Sequence, residues 1–207
     1  MKDKKIILLK TGVFIAALVP FLLLLLRGWQ NDLGANPIET VTDTTGIWTL
    51  RFLAITLAIT PLRRITGQVK LIRFRRMLGL FTFFYASMHF LTYIWLDQYF
   101  DWRFIAEDIG EHPYVIVGFC AFLIFTAMAI TSPRFMVRKM GKNWKKLHNL
   151  VYPAAFLACT HFIWLVKSDI REPVIYLAIF VILMLLRTPY FQTDPPLLRR
   201  WFRSANA

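Results

Sequence analysis

Long apolar runs recur along this chain at about 8–27, 47–62, 76–96, 113–131, 144–166 and 173–188. An α-helix crosses a hydrocarbon layer ~30 Å thick in ~20 residues, which is the length of most of these runs. Within lipid a spanning segment has to satisfy its own backbone, so each run is expected to be helical. The pattern predicts an all-α fold: a polytopic membrane helix bundle of six transmembrane helices forming a single domain, residues 1–207. The second and sixth runs are short, at about 16 residues, and are expected to tilt little or to extend into their flanks. Composition agrees, with 57% hydrophobic residues and 19 Phe, above the ~45–50% apolar usage of soluble domains.

A net charge of +13 would suit nucleic acid if the cations shared one surface. They lie between the apolar runs instead, so the partner they imply is the membrane and no nucleic acid is expected. With the N-terminus cytoplasmic, 20 of the 25 basic residues fall on the inner side: those of the N-terminal head, of loops 63–76 and 134–146, and Arg187, Arg199, Arg200 and Arg203. The outer side receives Arg27, Arg51, Arg103, Lys167 and Arg171 with 10 of the 12 acids, among them Asp97, Asp101, Glu107, Asp108 and Glu111. The positive-inside rule therefore places both termini in the cytoplasm. Trp29, Trp48, Trp95 and Trp164 at outer helix ends and Trp144 at an inner one form the matching aromatic belts. The basic head and long apolar run at the N-terminus, with no clear A-x-A site after it, read as a retained anchor. In the loop after the fourth run, Ser132 suits a helix cap, Pro133 the first helical position and Gly141 a C-terminal cap. A short helix lying on the inner leaflet is expected there.

The two cysteines, Cys120 and Cys159, both sit in apolar runs and match neither a disulfide framework nor a redox or zinc motif. The four histidines are more informative. His112, in the acidic outer loop, reads as a solvated residue. The others lie in spans, where an ionisable side chain is costly and faces the bundle interior. His89 stands seven residues, ~10 Å, from the outer end of the third span, and His161 five residues, ~8 Å, from the outer end of the fifth. Two imidazoles at one depth on separate helices suit axial ligation of a single haem. One turn before each stands a small residue, Ala86 or Ala158, which leaves room for a porphyrin edge. Zinc would ask for further ligands, and no carboxylate or cysteine pair accompanies the histidines.

His148 lies 13 residues before His161, ~20 Å along an ideal helix and near the inner face. As a ligand of a second haem it would need a partner around residues 75–78, where Met77 is the available group. Its alternatives are contact with a quinone, a flavin or a haem propionate. Pro153 between the two histidines could kink the helix or shift its phase. Arg51, near the outer end of the second span, is a cation for haem propionates; Arg75 and Arg76 could serve the same need on the inner side or hold a flavin phosphate. Snorkelling is the competing reading for the inner arginines.

Leu33-Gly34-Ala35-Asn36-Pro37, Ile59-Thr60-Pro61-Leu62, Arg75-Arg76-Met77-Leu78-Gly79-Leu80, His89, and the Gly141–Tyr152 block followed by His161 resemble the ferric-reductase-like transmembrane domain. More narrowly they resemble the MsrQ (YedZ) family of haem-binding membrane subunits in bacterial periplasmic methionine sulfoxide reductase systems. The resemblance implies a haem b protein of the inner membrane, associated with FMN, that takes electrons from the quinol pool or a cytosolic flavin reductase. It would pass them to a periplasmic molybdopterin-containing subunit that reduces methionine sulfoxide in proteins. On this reading the chain is an electron-transfer subunit and not the catalytic one. The chain departs from the wider superfamily in lacking an inner histidine on the third span and a nucleotide-binding GxGxxG motif. Rival expectations are a cytochrome b anchor for a different periplasmic reductase and, in another class, a small transporter or assembly factor. The absence of Asp and Glu within the predicted spans weighs against a transporter.

Overall fold

A computed structural model describes residues 2–166 and 169–188. Among the described residues the secondary structure is helical, with no strand. The helices are α1 (Lys2–Trp29), α2 (Pro37–Thr66), α3 (Arg75–Leu91), α4 (Trp102–Glu111), α5 (Tyr114–Ile130), α6 (Arg134–Met140), α7 (Lys142–His148), α8 (Val151–Leu165) and α9 (Arg171–Leu185). A 3₁₀ turn, Val69–Arg73, leads into α3, and a π-helical turn, Thr92–Asp97, continues it. The expected positions Lys167, Arg199, Arg200 and Arg203 lie outside the described residues.

The second helix differs most from expectation. It runs for 30 residues, beginning ten residues before the expected 47, and is not a short span. Its start is encoded by Asn36 and Pro37: the Asn36 side-chain oxygen accepts from the Glu39 N–H at 3.3 Å while its amide donates to Glu39 Oε2 at 2.9 Å. Pro37 occupies the first turn, where no N–H is missed. The polar stretch that follows is compatible with a membrane bundle because Thr42, Thr45 and Thr49 return their hydroxyls to carbonyls one turn back, at 2.7–2.9 Å.

The fifth expected span is two helices, not one. The break falls at Asn149 and Leu150, ahead of Pro153, which sits in the first turn of α8 and cannot extend a helix behind it. His148 and His161 therefore stand on different helices. In the loop before α7, Pro133 takes the N-cap position without a side-chain cap from Ser132; Gly141, at φ +53°, ends α6 as expected. The acidic loop 97–112 contains α4, whose N-terminus is capped by Asp101 Oδ1 accepting from the Arg103 N–H at 2.8 Å.

Packing is organised around α2. One core joins Leu50, Leu53 and Leu57 of α2 with Ala86, Phe125, Ala154, Ala155, Cys159 and Phe180. The other joins Phe52 and Ile59 of α2 with Ala17 of α1 and Leu78, Phe81 and Tyr85 of α3. The Tyr85 hydroxyl enters the α1 ladder beside Pro20, donating to the Ala17 carbonyl at 2.8 Å and accepting from the Phe21 N–H at 3.2 Å. Elsewhere α1 turns Leu8, Ile15, Leu22 and Leu25 outward, each more than half exposed. In water such a surface would drive association; against lipid it is solvated. Lys4–Trp29, Pro37–Thr66 and Arg75–Asp97 are long and apolar enough to cross a membrane, and α4 with α5 forms a further apolar pair bent by 111°. The chain is a membrane helix bundle.

Candidate functional site

Helix α3 lies between α2 and α5, and α5 packs along α8. This arrangement turns His89 of α3 and His161 of α8 toward one another, with ring centroids 6.1 Å apart and planes at 84°. Each ring is tied to a backbone carbonyl of the adjacent helix: His89 Nδ1–H donates to the Thr42 carbonyl at 2.9 Å and His161 Nδ1–H to the Tyr114 carbonyl at 2.8 Å. A carbonyl only accepts, so the proton has to be on Nδ1, leaving the Nε2 lone pair of a neutral imidazole for a metal.

Spacing supports shared ligation. With a metal–imidazole bond of ~2.0–2.1 Å and a ring nitrogen roughly 1.2 Å from its centroid, two imidazoles across one ion have centroids ~6.4 Å apart. Among the described residues no group of three or more His, Cys, Asp or Glu converges on a metal site. A two-nitrogen donor set suits an ion that brings its own equatorial ligands, as iron does in a porphyrin.

Two glycines complete the seats. A Cβ on Gly118 would lie 2.7 Å from His161 Nδ1, and one on Gly46 would lie 3.2 Å from His89 Nδ1 and Cε1. Sequence reasoning missed both, although each stands 43 residues ahead of the histidine it faces. That repeated interval was the available signal.

His112 was also misread. It is half-buried, with Nδ1 3.0 Å from Asp108 Oδ1, while Asp108 Oδ2 accepts from the Tyr93 hydroxyl at 2.7 Å. This clamp fastens α4 to the end of α3. Its His112 ring lies 5.4 Å from that of Tyr114, which in turn lies 5.8 Å from His161. The Asp-x-x-x-His spacing, which places two side chains on one helix face, was its sequence signal.

The residues around His148 are arranged differently. His148 stacks on Trp144 at 3.9 Å, and its Nε2 lies 3.2 Å from the Thr131 hydroxyl. Trp144 Nε1–H donates to the Thr131 carbonyl at 2.9 Å. Met77 packs with the α1–α2–α3 core, the ordinary role of a methionine in a membrane helix. Arg75 is half-buried and lies in the electrostatic neighbourhood of His148, Arg187 and Tyr152, whereas Arg76 is exposed. Successive residues on a helix diverge by ~100°, which separates these two arginines and puts Met77 on yet another face. Arg51, expected near an end of its span, is mid-helix: α2 runs Pro37–Thr66, and Arg51 stands five residues, ~8 Å, past Gly46. Its guanidinium lies 4.7 Å over Trp48, and its Nε donates to the Tyr176 hydroxyl at 3.3 Å.

Residues 45–159 match the family described as "Ferric reductase like transmembrane component". That stretch contains Gly46, His89, Gly118 and His148, and ends two residues before His161. The chain is 50% identical over 192 residues to the "Protein-methionine-sulfoxide reductase heme-binding subunit MsrQ" of Xanthomonas campestris pv. campestris (strain B100), covering 88% of this chain and 87% of the relative. The protein of the same description from Herminiimonas arsenicoxydans is 49% identical over 183 residues, covering 87% of this chain and 84% of the relative. Together with the helical bundle, these matches show that the chain belongs to the ferric reductase-like transmembrane family and, within it, to the MsrQ group.

Proposed function

We propose that this chain is a haem b-carrying electron-transfer subunit of the bacterial inner membrane, with His89 and His161 as the two axial ligands of one haem. The observation that carries the reading is the pair of imidazoles 6.1 Å apart, each fixed through Nδ1 by a backbone carbonyl. The name of its relatives, heme-binding subunits, supports the same cofactor. When bound, the haem iron supplies a site that gains and loses one electron. The protein's part is to hold both Nε2 lone pairs in place and to exclude water with the surrounding apolar core.

The chain is a single domain with six spans and both termini cytoplasmic. The asymmetry of its basic residues supports this topology. The Thr42–Gly46 seat and the Tyr114–Gly118 seat lie near the starts of α2 and α5, ends that this topology places on the outer side. Electrons arrive from the quinol pool or a cytosolic flavin reductase at the inner end, where Arg75, Arg76 and His148 contact the donor or a cofactor's anionic edge. Arg51 is the cation for the haem's carboxylates. From the outer end the electron passes to a periplasmic molybdopterin-containing subunit that reduces methionine sulfoxide in proteins. The clamp of Tyr93, Asp108 and His112 and its acidic surroundings form the docking side.

Vectorial electron transfer tests the proposal. In proteoliposomes with the basic loops inside, an internal quinol or flavin reductase should reduce the haem, and the co-purified outer partner should reoxidise it and reduce methionine sulfoxide. Reoxidation by a partner added only on the inner side would overturn the direction. Co-purification with a different periplasmic reductase would overturn the partner.

A further inference from the structure

We propose that Gly46 and Gly118 are positioning residues: each leaves a bare patch of helix against which an imidazole edge rests, and so sets the rotation of the ring and the aim of its Nε2. The inference deepens the bis-histidine reading and rests on it. In a helix the carbonyl of residue i points toward residue i+4, so a glycine at i+4 opens lateral access to that carbonyl. Thr42 precedes Gly46, and Tyr114 precedes Gly118, by this interval. The ring nitrogens reach the two carbonyls at 2.9 and 2.8 Å, distances that leave no slack for a methyl group between ring and backbone.

The device occurs twice, in two separate helix pairs. On α2 and α3 the accepting carbonyl lies 47 residues before the histidine, and the same interval separates carbonyl and histidine on α5 and α8. Two equivalent half-sites thus present one imidazole each. Gly79 provides the contrast: it lies against α2, but its Cβ would meet only Thr56 Cγ2 at 3.7 Å, an ordinary packing distance. It is a glycine of helix approach, of the kind common between membrane helices. Gly12 would meet nothing within 4 Å.

Alanine is the better helix former, so a mid-helix Gly→Ala change favours the helix itself. Harm at Gly46 or Gly118 therefore has to come through the ring. At Gly118 the new methyl group would overlap His161 Nδ1 and Cε1, at 2.7 and 2.9 Å, so the ring has to leave its carbonyl. At Gly46, with contacts at 3.2 Å, a small rotation of His89 relieves the crowding while ligation survives.

The test uses the full chain, solubilised and purified with its haem, as Gly118→Ala, Gly46→Ala, Gly79→Ala and Gly12→Ala beside the unaltered protein. Haem-to-protein ratio, midpoint potential and the low-temperature paramagnetic resonance spectrum of the oxidised haem are measured. Gly118→Ala should lose most of its haem or convert the remainder from a low-spin to a high-spin signal. Gly46→Ala should keep its haem with a displaced potential and altered g-values, while the Gly79 and Gly12 variants match the unaltered protein. Unchanged potential and spectrum in both seat variants would overturn the proposal. If Gly118→Ala does not fold, Gly46→Ala decides alone. Full haem retention in His89→Ala or His161→Ala would remove the bis-histidine reading and this inference with it.

Discussion

Replacing Asp108 with Asn removes the charge at the centre of the clamp that holds α4 over the bundle. Asp108 Oδ2 accepts from the Tyr93 hydroxyl at 2.7 Å, and Oδ1 lies 3.0 Å from His112 Nδ1. Asn keeps one acceptor oxygen for Tyr93 but turns a neutral NH2 toward His112, so the ionic hydrogen bond between Asp108 and His112 is lost. The loss is one hydrogen bond to a charged group, which is worth ~1.5–3 kcal/mol when well shielded. The Asp108 and His112 side chains are 23% and 36% exposed, so solvent lowers the expected loss to ~1–2 kcal/mol. Ile105 is the buried residue of α4. A loss of that size changes an opening equilibrium by roughly 5–30-fold. Hydrogen–deuterium exchange in nanodiscs, read on peptides covering residues 102–111, should accelerate by that factor. Asp97→Asn is the control, because its exposed carboxylate bonds the adjacent Gln98 side chain, at 3.1 Å, and takes no part in the clamp. Equal exchange in the two variants, or no change in either, would refute the clamp.

Tyr85→Phe should cost only ~0.6 kcal/mol, the typical membrane hydrogen bond, because the Ala17 carbonyl and Phe21 N–H can bond each other once the hydroxyl is gone; thermal unfolding in detergent reads this. Neutralising Asp97, Asp101 and Glu107 together should slow reduction of the periplasmic partner about tenfold at low ionic strength, an effect that fades as salt shortens the Debye length. Stopped-flow rates across a salt series would contradict the docking role if they stayed equal to those of the unaltered protein. His148→Ala should leave the outer haem's spectrum intact while slowing its reduction by an inner donor, as measured by single-turnover kinetics.

The membrane class and the His89–His161 pairing were legible because they depend on length and depth, which a 1.5 Å rise per residue converts directly from sequence. Helix ends were less so. The stretch from Thr40 to Thr45 reads as too polar for a span, yet its threonines bond their own helix and Asn36–Pro37 caps it. The break at Asn149–Leu150 was not legible in a run read as one span, where Pro153 suggested a kink or a phase shift; a proline in a first turn marks a beginning. The carbonyl seats for the imidazoles lie in the backbone, which leaves no residue-type signature; only the glycines that expose them do. His112 was read by its loop, while its actual environment is set by the Asp108 four residues before it and by Tyr93 across the turn.

Haem quantification by pyridine haemochrome, with a reduced-minus-oxidised spectrum, tests the central claim most directly when applied to His89→Ala, His161→Ala and His148→Ala. The account predicts one low-spin b-type haem per chain, lost from the first two variants and kept in the third. Full retention in either of the first two, or loss confined to His148→Ala, would contradict it.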